Sequence, residues 1–233
     1  MDLNLEPDFR REEPLAQPKQ FAVPQVNFLN KVYALMTLGL LVTAGLSYYL
    51  GVHVEPQKFL PWIKPCLIAE FVIVFALSFV CLKLPAFVAF LAFIGYAALN
   101  GVTLSVIFLA YQLGSVAQCF VITSATFGIM SLYGFITKRD LTTIGNILLM
   151  GLLGVVIASL VNLFLRSSGL DLALSYIGVA IFVGLVAYDA QKIKNLNEAG
   201  CGHNGLAILA ALNLYLDFIN IFLYMIKLLG KRK

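Results

Sequence analysis

Three carboxylates, Glu70, Asp189 and Asp217, stand inside or at the end of long apolar runs. An ionisable side chain in such a run is costly, which makes each one a functional-site candidate. Asp217 lies near the centre of the last run, 206–229. Asn213, Asp217, Asn220 and Tyr224 recur at i, i+4, i+7 and i+11, so all four share one face of a helix. A stripe of this kind faces a bundle interior or a wet cavity. It can tie helices together as a hydrogen-bonded seam, or it can titrate protons and pass cations. A lone carboxylate is a poor way to build a seam, which favours the second use.

The other two acids are less decided. Glu70, in "CLIAEFVIVFALSF", has Ser78 eight residues on along the same face. It has no basic neighbour at helical spacing, so it must pair across the bundle, hold a proton or meet water. Structural and pathway roles are both open for it. Asp189, in "AYDAQKIKNL", is followed by Lys192 and Lys194. If its helix stops near Ala190, it is a surface charge; if the helix runs to Leu196, Asp189 lies about 10 Å inside that end. In "YAALNGVTLS", Tyr96, Asn100 and Thr103 share a face that is either another polar wall or packing polarity.

The elements that carry these groups follow from composition. The 233 residues are 61% hydrophobic and only 12% charged, with a mean hydropathy of +0.91. Soluble domains carry about 25% charged residues. Seven apolar runs, 31–52, 62–82, 85–110, 115–136, 142–165, 171–191 and 206–229, can each cross a hydrocarbon core of about 30 Å as a helix. They lack the two-residue alternation of membrane strands. Short connections ("LPA", "YQLGS", "TKRDL") predict antiparallel neighbours, and the small residues within the spans permit close helix approach. The expected organisation is a polar, flexible tail over 1–26 and one all-α domain of seven transmembrane helices over 27–233.

The net charge of +4 does not suggest nucleic acid, because the basic residues cap apolar runs and form no face with interleaved aromatics. With the N-terminus inside, Arg10, Arg11, Lys19, Lys31, Lys83, Lys138, Arg139, Lys192 and Lys194 fall on the cytoplasmic side. Lys58, Lys64, Arg166, Lys227, Lys231, Arg232 and Lys233 fall opposite. The basic C-terminus conflicts with the positive-inside rule, and a re-entrant or incomplete seventh segment would remove the conflict. The early helices favour a cytoplasmic N-terminus. Cys66, Cys81, Cys119 and Cys201 have no metal-site spacing and read as small buried hydrophobes, while Cys201-Gly202-His203 gives only a faint metal signal.

Four blocks give a resemblance: "VYALMTLGLLVTAGLSYYLG" (32–51), "TSATFGIMSLYGFITKRDLTTIG" (123–145), "VGLVAYDAQKIK" (183–194) and "ALNLYLDFINIFLYMIKLL" (211–229). Together they resemble the Bax inhibitor-1-like, or transmembrane Bax-inhibitor-motif, family of membrane proteins, over essentially the whole chain after the tail. The resemblance implies seven helices with the last one central, and a pH-sensitive calcium leak gated by two aspartates that share a proton. By motif position those are Asp189 and Asp217, with Glu70 matching the family's acid in the second helix. Lys83 is the candidate for its basic partner. Glu70, Asn100, Asn213, Asn220 and Tyr224 would then line the polar interior. The resemblance also implies a second, non-transport role as a modulator of other membrane proteins, either restraining membrane proteases or suppressing cell death, and the N-terminal tail would suit recruitment.

Two like carboxylates in contact resist double ionisation, so a proton would hold the pair together. Its loss would leave repulsion and a hard-oxygen site suited to Ca²⁺. No cofactor is expected beyond Ca²⁺ as the transported or bound ion, and the expected partners are the lipid bilayer, Ca²⁺ and protons. An intramembrane aspartyl protease would need GxGD where this chain has "LYLD", and a retinal protein would need a lysine deeper than Lys227. No Ser/His/Asp set, Walker loop or dinucleotide fingerprint occurs, so enzymatic activity is not expected. Short loops and the lack of a targeting signal point to a bacterial inner membrane.

Overall fold

In lipid, a spanning backbone must satisfy its own hydrogen bonds, so the apolar runs become helices. The computed structural model describes residues 25–200 and 202–233. Its helices are α1 (Gln25–His53), α2 (Pro56–Val80), α3 (Ala86–Ala110), α4 (Leu113–Ile136), α5 (Thr142–Leu165), α6 (Ser168–Glu198) and α7 (Asn204–Leu229). All seven are long and apolar enough to cross a membrane. Residues 1–24 and Cys201 lie outside the described residues, and with them most of the expected tail, including Arg10, Arg11 and Lys19. Helix α1 begins at Gln25, so the last two residues assigned to that tail start the helix.

The breaks between helices have local causes. Pro56 occupies the first turn of α2, where a missing N–H costs nothing. A 3₁₀ turn at Cys81–Lys83 ends α2, and Pro85 caps α3. Arg166 takes a left-handed conformation (φ 53°) that terminates α5. Ser167 then caps α6 by accepting the Leu170 N–H at 3.3 Å. His203 caps α7, its Nδ1 accepting the Leu206 N–H at 3.2 Å, which gives this histidine a structural use.

The two ends of the bundle are tied by contacts between chain-distant residues. At one face, Lys31 donates to Asn204 and the Cys81 thiol to the Gly205 carbonyl, which gathers the starts of α1 and α7 with the end of α2. At the other, Arg232 bridges to Tyr111, and Lys231 N–H donates to Ser115 Oγ at 2.9 Å. Helix α7 is therefore a continuous span of 26 residues, neither re-entrant nor incomplete. The C-terminal basic cluster lies on the face opposite the start of α1, and the charge conflict noted in the sequence persists.

Helix α7 packs against α1, α3, α4 and α6, and 67% of its apolar stretch is buried. Helix α5 packs on α6, and only 6% of its apolar stretch is buried. Close approach rests on glycine. A Cβ at Gly134 would strike the Ala187 carbonyl, one at Gly145 the Tyr188 ring, and one at Gly178 the Tyr224 ring. Small residues thus let α4, α5 and α7 close around α6. Cys66, Cys81 and Cys119 are free thiols buried in the bundle.

Candidate functional site

Helix α6 does not stop at Ala190. The segment "QKIKNLNE" leaves the apolar run but favours helix, and α6 continues to Glu198. Asp189 therefore lies nine residues, about 14 Å, inside that end. It is half-buried. Antiparallel packing on α7 brings Asp189 and Asn213 into one small cleft of about 40 Å³, lined also by Lys192, Leu206 and Ala210. Asp217 lies one turn, about 6 Å, further along α7 and is only 5% exposed. The charge that bears on Asp217 is that of Asp189. Asp217 does not line that cleft; Asp189 is the more exposed, outer carboxylate and Asp217 the more buried, inner one, near enough for the charge of Asp189 to bear on it.

The hydrogen bonds of the α7 stripe are not those of a seam between helices. Asn220 donates its amide to Leu216 O of its own helix at 2.8 Å. Asp217 Oδ2 is buried and has no hydrogen-bond partner among the described residues. A buried acceptor left unpaired in a low dielectric carries a penalty on the order of 1–3 kcal/mol, more if charged. Tyr224, the last member of the stripe, lies on Gly178 of α6.

Glu70 belongs elsewhere. Thr103 of α3 donates its hydroxyl to Glu70 Oε1 at 2.8 Å. On the same flank, Tyr215 and Thr43 hydroxyls are 2.7 Å apart, and Thr43 donates to Ala97 O at 2.8 Å. The Tyr215 ring sits edge-on to Phe93 and Tyr96. Asn100 donates to Tyr96 O within α3 at 3.2 Å. Tyr215 and Asp217 are two residues apart on a helix and so point about 200° apart. The polar interior expected as one lining is two separate groups on opposite flanks of α7. An apolar cavity of about 340 Å³ along the C-terminal half of α7, lined by Phe218, Phe222, Thr43 and Ser47, reaches neither aspartate.

Lys83 is exposed in the turn after α2, and the basic group that bears on Asp189 is Lys192. Lys192 also lines the Asp189 cleft, and its ammonium lies 6.0 Å from the Tyr188 ring centre. Gln191 was not singled out by the sequence. Its Oε1 accepts the Leu141 N–H and its Nε2 donates to Arg139 O, both at 2.8 Å. Lys194 adds a bond to Phe135 O at 3.0 Å. The blocks "FITKRDLT" and "YDAQKIK", remote in sequence, are therefore joined in space, with Asp189 two residues from the clamp. The presence of Gln191 inside the second block was the signal that could have found it. In the clamped turn, Asp140 accepts from the Thr142 hydroxyl at 2.6 Å and the Thr142 N–H at 2.9 Å. These bonds hold the Asp140 carboxyl below the usual carboxylate range.

As a Ca²⁺ site, two carboxylates supply only part of the six to eight oxygens that ion prefers. Among the described residues no group of three or more His, Cys, Asp or Glu gathers around them.

The chain matches the family model described as inhibitor of apoptosis-promoting Bax1 over residues 25–233. It is 42% identical over 234 residues to the inner membrane protein YbhL of Escherichia coli K12, covering 97% of this chain and 99% of that protein. An uncharacterized protein of Borreliella burgdorferi is 43% identical over 231 residues, covering 94% of this chain and 98% of that one. The uncharacterized protein RP147 of Rickettsia prowazekii is 44% identical over 218 residues, with 88% and 90% covered. The chain is thus a multi-pass integral membrane protein that belongs to the Bax inhibitor-1-like family.

Proposed function

We propose that the protein is a pH-sensitive cation leak of a bacterial inner membrane, with calcium as its ion, gated by a proton that Asp189 and Asp217 share. The observation that carries this reading is the buried Oδ2 of Asp217, unpartnered among the described residues and within the electrostatic reach of a second carboxylate. A buried carboxylate oxygen without a partner calls for an explanation, and a shared proton supplies one.

The chemistry follows from the placement. With one proton between them, the pair carries a single negative charge, and Lys192 at the outer side balances it. When the proton leaves, two like charges face each other across α6 and α7 in a poorly screened environment. The helices must then separate or admit a cation and water. The cleft at Asp189 has room for about one water, which gives the outer carboxylate a first wet contact. Glu70 is a separate titratable group near Tyr96 and Tyr215, outside this gate. The sign is fixed by the mechanism: protonation closes, so flux is low at acidic pH and rises as pH rises.

The test is calcium influx into proteoliposomes holding the wild-type chain, read at acidic and at neutral pH. The proposal expects higher influx at neutral pH. Equal influx at both values overturns the gating, and no influx above empty vesicles at either overturns the leak.

A further inference from the structure

Beyond that reading, and independent of it, the turn between α4 and α5 carries an unassigned site. The turn and the last part of α6 enclose a polar cleft of about 250 Å³, lined by Lys138, Arg139, Lys194, Asn195, Gln191 and Asp140 among others. We propose that this cleft binds the phosphate headgroup of an anionic phospholipid, with Lys138 and Arg139 as its anion-binding residues.

Four observations carry the assignment. First, the cleft is built on a fixed frame. Gln191, buried in α6, holds both Arg139 O and Leu141 N–H, so the backbone bearing the two cations is clamped. Second, its charge is uncommitted. Lys138 and Arg139 are exposed and form no ion pair among the described residues, whereas Lys194 is used on Phe135 O and lies 3.9 Å from Glu198. The acid in the lining, Asp140, turns its Oδ1 to both Thr142 donors and pairs with neither cation among the described residues. Third, the cationic surface continues. A neighbouring cleft of about 230 Å³ shares Gln191 and Asn195 and adds Lys192.

Fourth, the site sits where a lipid would present its headgroup. The spans flanking the turn end at Ile136 and begin at Thr142, and Ile136, Ile144 and Ile147 just below are exposed apolar side chains. A soluble anion would use only the cations, while a phospholipid uses both the cations and this apolar flank. Basic pockets between transmembrane helices are a recognised arrangement for anionic headgroups. The opposite face offers a contrast. A cleft of about 440 Å³ there also holds basic groups, Arg166 and Lys227, but Lys227 is paired with Asp171 at 3.0 Å.

The experiment is native mass spectrometry of the full chain in detergent, titrated with phosphatidylglycerol or with phosphatidylcholine of the same acyl chains. Each basic residue near a headgroup contributes about fivefold in affinity. The wild type is expected to retain phosphatidylglycerol over phosphatidylcholine by at least about tenfold. The Lys138→Gln/Arg139→Gln variant should lose that preference, each single variant should lose part of it, and Lys58→Gln/Lys64→Gln on the opposite face should keep it. Because the substituted side chains are exposed, helix content by circular dichroism should be unchanged. Equal retention of the two lipids by wild type, or an unaltered preference in both single variants, overturns the site. Displacement of the lipid by equimolar inorganic phosphate assigns the cleft to free anions and overturns the lipid.

Discussion

Gly134 of α4 lies directly against the backbone carbonyl of Ala187 in α6, two residues before Asp189. No side chain fits between them, so the position of α6 at the site is set by backbone contact. Gly134→Val should force the helices apart. Overpacking of this kind costs about 1–3 kcal/mol, expected as a lower melting temperature in detergent. Gly128, on the same helix, has open space around its Cα, and Gly128→Ala should leave the melting temperature close to wild type. Equal effects of the two substitutions would contradict the close-contact account.

Gln191→Leu removes both bonds to the α4–α5 turn and strands the Leu141 N–H. The expected cost is about 1–3 kcal/mol. Hydrogen exchange checks it locally: protection at Leu141 should fall while protection in the middle of α7 is retained.

Tyr215→Phe deletes the hydroxyl that meets Thr43, yet Thr43 keeps its bond to Ala97 O. A loss of about 1 kcal/mol is expected. Thr43→Val in the Tyr215→Phe background should cost less than Thr43→Val alone, because the pair is already broken. Strict additivity in thermal unfolding would rule out the coupling.

Asp140 gives a pH dependence outside the membrane. Its carboxyl is held low by the Thr142 hydroxyl and N–H, so the folded state binds its proton less readily than the unfolded chain. The contribution is present above the ordinary carboxylate value of about 4 and is lost as pH falls through the lower folded value. The protection factor at Thr142 should therefore fall on acidification in wild type. In Asp140→Ala it should be low at every pH.

The apolar runs located all seven spans because hydropathy and helix formation coincide inside a bilayer. They failed at the ends for the same reason. Residues 191–198 are mostly polar yet helical, so hydropathy ended α6 too early and left the depth of Asp189 open. The stripe through Asp217 was legible because spacing alone fixes one helix face. Its neighbours were not: spacing put Tyr96, Asn100 and Thr103 on one face of α3 but could not say which helix lies opposite, so Glu70 and Asn100 were grouped with Asn213, Asn220 and Tyr224 although Glu70 lies with Thr103. Lys83 looked suited as the basic partner by position along α2, but the turn after α2 leaves it exposed and Lys192 is the lysine at Asp189. Tyr215 and Thr43 gave no sequence signal, since a single hydroxyl among apolar residues acquires meaning only from its partner across the bundle.

In the proposed gate, Asp189 and Asp217 act as one proton-binding unit. Calcium influx in proteoliposomes across pH, compared for wild type, Asp189→Asn, Asp217→Asn and the double variant, tests it most directly. A shared proton predicts that either single substitution flattens the pH response as fully as the double one does, because removing one partner abolishes the repulsion that opens the gate. Wild-type pH dependence in both single variants would contradict the account.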